Sequence, residues 1–120
     1  MKDSIIYVEY ILVCIRKIKS YTAGLEEEGF LKSSIVQDAV IRNFEIIGEA
    51  TKKLDDDLRL KYPEIEWKKI SGMRDKLIHD YIGVDLWAVW NVVEDILPQF
   101  ETQILNILEI ERKKDSESPD

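Results

Sequence analysis

The chain has 120 residues, 45% of them apolar and 34% charged, with a single cysteine and a single histidine. That length suits one domain, and the composition fits a soluble globular protein and excludes wholesale disorder. One cysteine, Cys14, excludes an internal disulfide and a cysteine-based zinc cluster, and neither a metal nor a cofactor is expected. The formal net charge of -7 is carried by the C-terminal part: residues 80 to 120 hold 10 Asp/Glu against 3 Lys/Arg, while residues 1 to 79 hold 14 of each.

The elements read as follows in chain order. From Ser4 to Tyr21, Ile5, Val8, Leu12 and Ile15 recur with helical spacing, joined by Ile11 and Ile18. The apolar run Ile5 to Ile15 contains Glu9 and is shorter than the ~20 residues of a membrane span, so no membrane anchor is expected. With no basic region leading to a cleavage site after Met1-Lys2-Asp3, no secretory signal is expected either, and the expected location is the cytoplasm. Gly24 and the run Glu26 to Gly29 interrupt the first helix, and Ser33-Ser34 offers N-cap hydroxyls to a second. Its seam runs Val36, Val40, Ile47, Ala50 and Leu54, with Asn43 where an apolar residue belongs. Asn43, Glu45 and Glu49 read as a packing polar residue beside a solvated face, or as part of a site.

The Asp55 to Asp57 run and the Tyr62-Pro63 step predict a turn. Pro63 to Ile70 reads as a short helical segment with Glu64 and Glu66 near its N-terminus, and Gly72 is expected to separate it from another short helix, Met73 to Asp80. Asp85 can cap a final long helix whose stripe includes Leu86, Val89, Val93, Ile96, Phe100 and Ile107, with Pro98 expected to kink it. From Glu111 onward the sequence lacks apolar residues and reads as a disordered polar tail, which leaves one helical domain over residues 1 to 110. The fold class is therefore all-α, a helical bundle of four to five helices. Trp67, Trp87 and Trp90 read as core or interface anchors in preference to base-stacking platforms.

The chemistry concentrates between Arg74 and Tyr81, which bring a guanidinium, the one imidazole and a phenol within eight residues. A ribonuclease working without metal needs a base for the 2′-hydroxyl, a proton donor for the leaving 5′-oxygen, and positive charge beside the transition state. His79 and Arg74 meet those needs: an imidazole titrates near pH ~6.5, and a guanidinium stays charged and can contact two phosphate oxygens. Asp75, four residues before His79, can orient its ring. On a regular helix Arg74 and His79 point roughly 140° apart, so one copy looks incomplete and a two-fold dimer could gather both pairs around one cleft. Lys68, Lys69, Arg74 and Lys76 form a local basic group, read either as an RNA-facing patch or as an ordinary solvated face.

The longer strings Asn43-Phe44-Glu45-Ile46-Ile47-Gly48-Glu49-Ala50 and Trp67 through Asp85, with the pattern Trp-x-x-Ile-x-Gly-Met-Arg-Asp-x-Leu-Ile-His-x-Tyr inside the second, resemble the HEPN superfamily and, within it, the HepT-like toxins. The resemblance spans about residues 4 to 110. It implies a compact helical bundle, a homodimer with paired motifs at its interface and pairs of dimers left open, and metal-independent cleavage of RNA. Arg74 and His79 fall on the family's catalytic positions, and Asp75 on the polar position after the arginine. The resemblance further implies a minimal nucleotidyltransferase antitoxin as partner, with Tyr81 accepting its adenylyl group. A non-catalytic helical dimer that binds such a partner or a nucleotide is the alternative on the same fold.

Overall fold

The computed structural model describes residues 2–79 and 84–116, with Lys2, Arg74, residues 76–79 and residues 115 and 116 described by backbone alone. Seven α-helices and one π-turn account for them: α1 (Lys2–Thr22), α2 (Glu27–Lys32), α3 (Ser34–Lys52), α4 (Asp56–Lys61), α5 (Trp67–His79), α6 (Leu86–Asn91), the π-turn Val92–Ile96, and α7 (Leu97–Ser116). No strand occurs among the described residues, so the all-α expectation holds.

Local signals set most boundaries. α1 ends where Gly24 takes a positive φ of 76°, a conformation open to a residue without Cβ. Ser33 caps α3 by accepting from the Val36 N–H, and Asp85 caps α6 by accepting from the Ala88 N–H. Asp55 does the same for α4 through the Leu58 N–H, and its own N–H donates to the Ser4 hydroxyl, tying the start of α4 to the start of α1. That cap corrects the expected turn: the aspartate run nucleates six helical residues, whose buried Leu58 supplies an anchor.

The bundle is built from three principal contacts, α1 with α3, α3 with α5, and α1 with α7. Val8, Ile11, Ile15 and Ile18 of α1 are fully buried against a core shared with Val40 and Ile47 of α3 and Ile104, Ile107 and Leu108 of α7. Fully burying such side chains contributes ~1.5–3 kcal/mol each before conformational entropy is counted. Short α2 adds Phe30, whose ring stacks on Trp90 of α6 with centroids 5.3 Å apart. Asn43 is buried, and its amide donates to the Ala39 carbonyl one turn back, so the polar residue in the α3 seam is satisfied within its own helix.

Two further expectations change, at Gly72 and after Glu111, and a third, at Pro98, gains a detail. Gly72 does not divide the region around it: α5 runs unbroken from Trp67 to His79, while Pro63 to Glu66 lies outside it. A Cβ at Gly72 would meet nothing within 4 Å, so this glycine sits on an open face and costs the helix only ~1 kcal/mol of propensity. Packing of Trp67, Ile70 and Met73 outweighs that cost. Pro98 follows a π-turn, in which the Leu97 N–H reaches the Val92 carbonyl; widening the turn here accommodates a ring that has no N–H and crowds the preceding turn of a regular helix.

The polar segment after Glu111 begins as helix, since α7 continues to Ser116. Glu111 is buried, and its Oε2 accepts from the Tyr62 hydroxyl at 2.6 Å and from Lys61 Nζ at 2.7 Å. Burial raises the pKa of this carboxyl, but the hydrogen bonds from Lys61 and Tyr62 and the charges of Lys61 and Lys114 outweigh it, and the net shift is downward. Burial and the adjacent Glu111 push the Tyr62 phenol well above its ordinary value. A carboxyl with a lowered folded-state pKa contributes stability above its unfolded value, which is lost as pH falls through the folded one. Glu111→Gln is therefore expected to destabilise the protein at neutral pH by ~1–3 kcal/mol, and to flatten its loss of stability on acidification. Urea denaturation at pH 7 and pH 3.5 would measure both effects.

Candidate functional site

α5 is the candidate site helix, and its backbone carries Arg74 and His79 on one continuous 13-residue element. Five residues of α-helix put their backbones ~7.5 Å apart along the axis and turn them roughly 140°. The two backbone positions thus lie on different sides of α5, as the sequence spacing implies. Tyr81 lies outside the described residues.

What fixes α5 is its packing on α3. The Trp67 ring is buried at its first turn and donates its indole N–H to the Tyr62 carbonyl at 3.0 Å. One turn before His79, Asp75 places both carboxylate oxygens on Lys52 Nζ of α3, at 2.8 and 3.0 Å. This exposed pair is worth at most ~1 kcal/mol, and it links α3 to α5 at the residue beside Arg74. Lys52 was not legible as a site residue: it sits in the last turn of α3, and no pattern in the sequence links it to a residue 23 positions away.

Lys68 is exposed, and Lys69 forms an ion pair with Glu66 at 3.0 Å, one turn earlier on the chain. The expected basic group is thus partly neutralised at its N-terminal end. Glu45 pairs with Arg42 at 3.5 Å on α3, consistent with an ordinary helix-surface contact. Of the three tryptophans, Trp67 and Trp90 are core residues, whereas Trp87 is exposed at the start of α6.

Between α5 and the α6–α7 arm lies a cleft of about 560 Å³. Phe44 and Ile47 of α3 form its floor, Ile70 and Met73 of α5 one wall, and Leu97 and Phe100 of α7 the other. Its surface is mainly apolar, with Glu64, Lys69, Gln99 and Gln103 at the rim. Periodicity alone does not reveal this cleft, because the same apolar residues would serve equally well in a closed core.

No helix among the described residues is long and apolar enough to cross a membrane. No solved structure matches the chain. Among curated proteins, it is 47% identical over 108 residues to "Gamma-glutamylcyclotransferase and putative RNase MJ0434" of Methanocaldococcus jannaschii, covering 90% of this chain and 49% of that one. The chain thus spans about half the length of that relative, whose name joins two activities. It is 38% identical over 112 residues to "Putative RNase TTE0752" of Caldanaerobacter subterraneus subsp. tengcongensis, covering 93% of this chain and 100% of the other. It is also 42% identical over 95 residues to "Probable ribonuclease HepT" of Thermococcus cleftensis, covering 79% and 86%. The family model described as "Ribonuclease HepT-like" matches residues 11–107, a span that takes in α3, α5 and the cleft between α5 and α7. The chain belongs to the HepT-like ribonuclease family.

Proposed function

We propose that the chain is a metal-independent endoribonuclease toxin, active as a homodimer in the cytoplasm and neutralised by a minimal nucleotidyltransferase antitoxin. The observation that carries this reading is the placement of Arg74 and His79 on one unbroken helix beside an open cleft, in a member of a ribonuclease family. His79 takes the proton of a ribose 2′-hydroxyl, whose oxygen attacks the adjacent phosphorus as the bond to the 5′-oxygen breaks. The leaving oxygen receives a proton from an imidazolium, and Arg74 stabilises charge on the non-bridging phosphate oxygens. The products are a 2′,3′-cyclic phosphate and a free 5′-hydroxyl.

One imidazole cannot be base and acid at the same instant, and Arg74 and His79 diverge around α5. A second copy resolves both points by supplying the second imidazole and the opposing guanidinium to a shared cleft. The apolar walls beside α5, including Met73 and the exposed Ile96, favour covering by protein. Asp75 acts through His79 as a positioning residue while its carboxylate is steadied by Lys52. Transfer of an adenylyl group from ATP to the Tyr81 phenol, with release of pyrophosphate, would set a charged nucleotide two residues from His79 and compete with RNA for Arg74.

Purified protein incubated with total and transfer RNA in EDTA is expected to cleave both or one of them, leaving cyclic phosphate ends. Absence of cleavage by preparations of unmodified mass would overturn the enzymatic reading in favour of a binding module. Intact-mass analysis after incubation with the antitoxin and ATP is expected to show an adenylyl increment on the wild type and none on Tyr81→Phe. An equal adenylyl increment on both would exclude Tyr81 as the acceptor.

A further inference from the structure

α1 carries two apolar seams, and the bundle uses one of them. The inner seam, Ser4, Val8, Ile11, Ile15, Ile18 and Thr22, is buried. The outer seam steps by three and four residues through Asp3, Ile6, Tyr10, Val13 and Lys17, all exposed. Ile6 is 65% exposed, Tyr10 50% and Val13 46%, and Tyr21, one turn beyond Lys17, is 40% exposed. Alternating steps of three and four are the spacing at which one helix presents a continuous stripe to another. A solvent-facing surface helix ordinarily shows polar residues on this side.

α7 extends the patch. Glu101 of α7 meets Arg16 and Lys19 of α1, and Arg112 meets Glu9. Leu105 lies between those two levels along α7 and is 40% exposed.

We infer that this seam is a self-association surface, on which α1 of a second copy packs antiparallel across a two-fold axis at Tyr10. Charge order selects the occupant and its direction. Antiparallel packing sets Asp3 of each copy against Lys17 of the other and Ile6 against Val13, and brings the two Tyr10 rings together. Parallel packing would oppose Asp3 to Asp3 and Lys17 to Lys17. An acid at one end, a base at the other and an aromatic at the centre is the self-complementary pattern that an isologous contact requires. The contact lies on α1, away from the α5 cleft, and does not depend on the ribonuclease reading.

Tyr10→Glu places two carboxylates at the axis without touching the core. It is expected to halve the molar mass of the full chain in sedimentation velocity at micromolar concentration, with helicity retained and with a melting temperature that no longer rises with protein concentration through this contact. Asp3→Lys should weaken the assembly about tenfold, and Asp3→Lys combined with Lys17→Asp should restore it. Under mild oxidation with a copper complex, Tyr10→Cys should form a disulfide-linked dimer. Ile6→Cys alone should not, because eight residues along the helix separate the two copies of position 6 by ~12 Å, too far for a disulfide. A folded Tyr10→Glu variant with the wild-type mass, or equal crosslinking at positions 6 and 10, overturns the inference. So does a Tyr10→Glu variant that keeps its mass but loses binding to the antitoxin, since the seam would then serve a different protein.

Discussion

Replacing His79 with alanine is expected to lower RNA cleavage by ~10²–10⁴-fold, the range in which a positioned acid or base contributes, while circular dichroism and molar mass stay those of the wild type. His79 is the last residue of α5, and the helix is anchored at its other end by buried Trp67 and midway by the Asp75–Lys52 pair. Loss of the imidazole therefore removes chemistry without removing the element that carries it. Arg74→Ala should be as severe. Arg74→Lys tests the reason: a lysine keeps the charge but loses the planar fork, so partial activity is expected, with the deficit in kcat. A dimer that uses one imidazole as base and the other as acid further predicts a bell-shaped dependence of kcat/KM on pH, which His79→Ala abolishes. Full cleavage by purified His79→Ala would remove the residue from the mechanism.

Asp75→Asn separates two roles for that carboxylate. As a positioning residue for His79 it should shift the pH profile and reduce kcat less than His79→Ala does. As a partner of Lys52 alone it should alter stability by no more than ~1 kcal/mol and leave the profile in place.

The sequence reported those parts of the fold that depend on neighbours along the chain. The α1 periodicity, the Ser33 and Asp85 caps and the Arg74 to His79 spacing are all local, and the structure carries them at the expected residues. What it concealed depends on distant partners or on a balance of small terms. Gly72 as a break rested on a propensity cost of ~1 kcal/mol, which the packing of α5 on α3 exceeds. Glu111 read as the start of a solvated tail because its partners, Lys61 and Tyr62, lie about fifty residues away. Pro98 announced an irregularity, but not that a π-turn would absorb it. At the candidate site, the spacing of Arg74 and His79 can be read along the chain, whereas the Lys52 contact and the cleft arise only once α3, α5 and α7 are assembled.

Phe30→Ala is expected to destabilise the protein by ~3–5 kcal/mol, a large fraction of the ~5–15 kcal/mol that holds a typical domain together. The phenyl ring is fully buried and stacks on Trp90 at 5.3 Å, so truncation removes its apolar area, its ring contact and the filling of the space between α2 and α6. α2 has only six residues and no side-chain cap at Glu26; besides Phe30, it is held by the Gln37 amide of α3, which donates to the Phe30 and Leu31 carbonyls. α6 in turn begins six residues after Asp80, at the far end of the segment that leaves α5 and contains Tyr81. Loosening the α2–α6 contact therefore loosens the return of the chain from the site helix. Chemical denaturation should show the full loss of stability. Cleavage by Phe30→Ala should approach the wild-type rate at low temperature and collapse on warming well before the wild type does. Phe30→Leu, which keeps most of the volume, should recover more than half of the stability; equal losses for both variants would mean that ring stacking, and not the filling of space, is what Phe30 supplies.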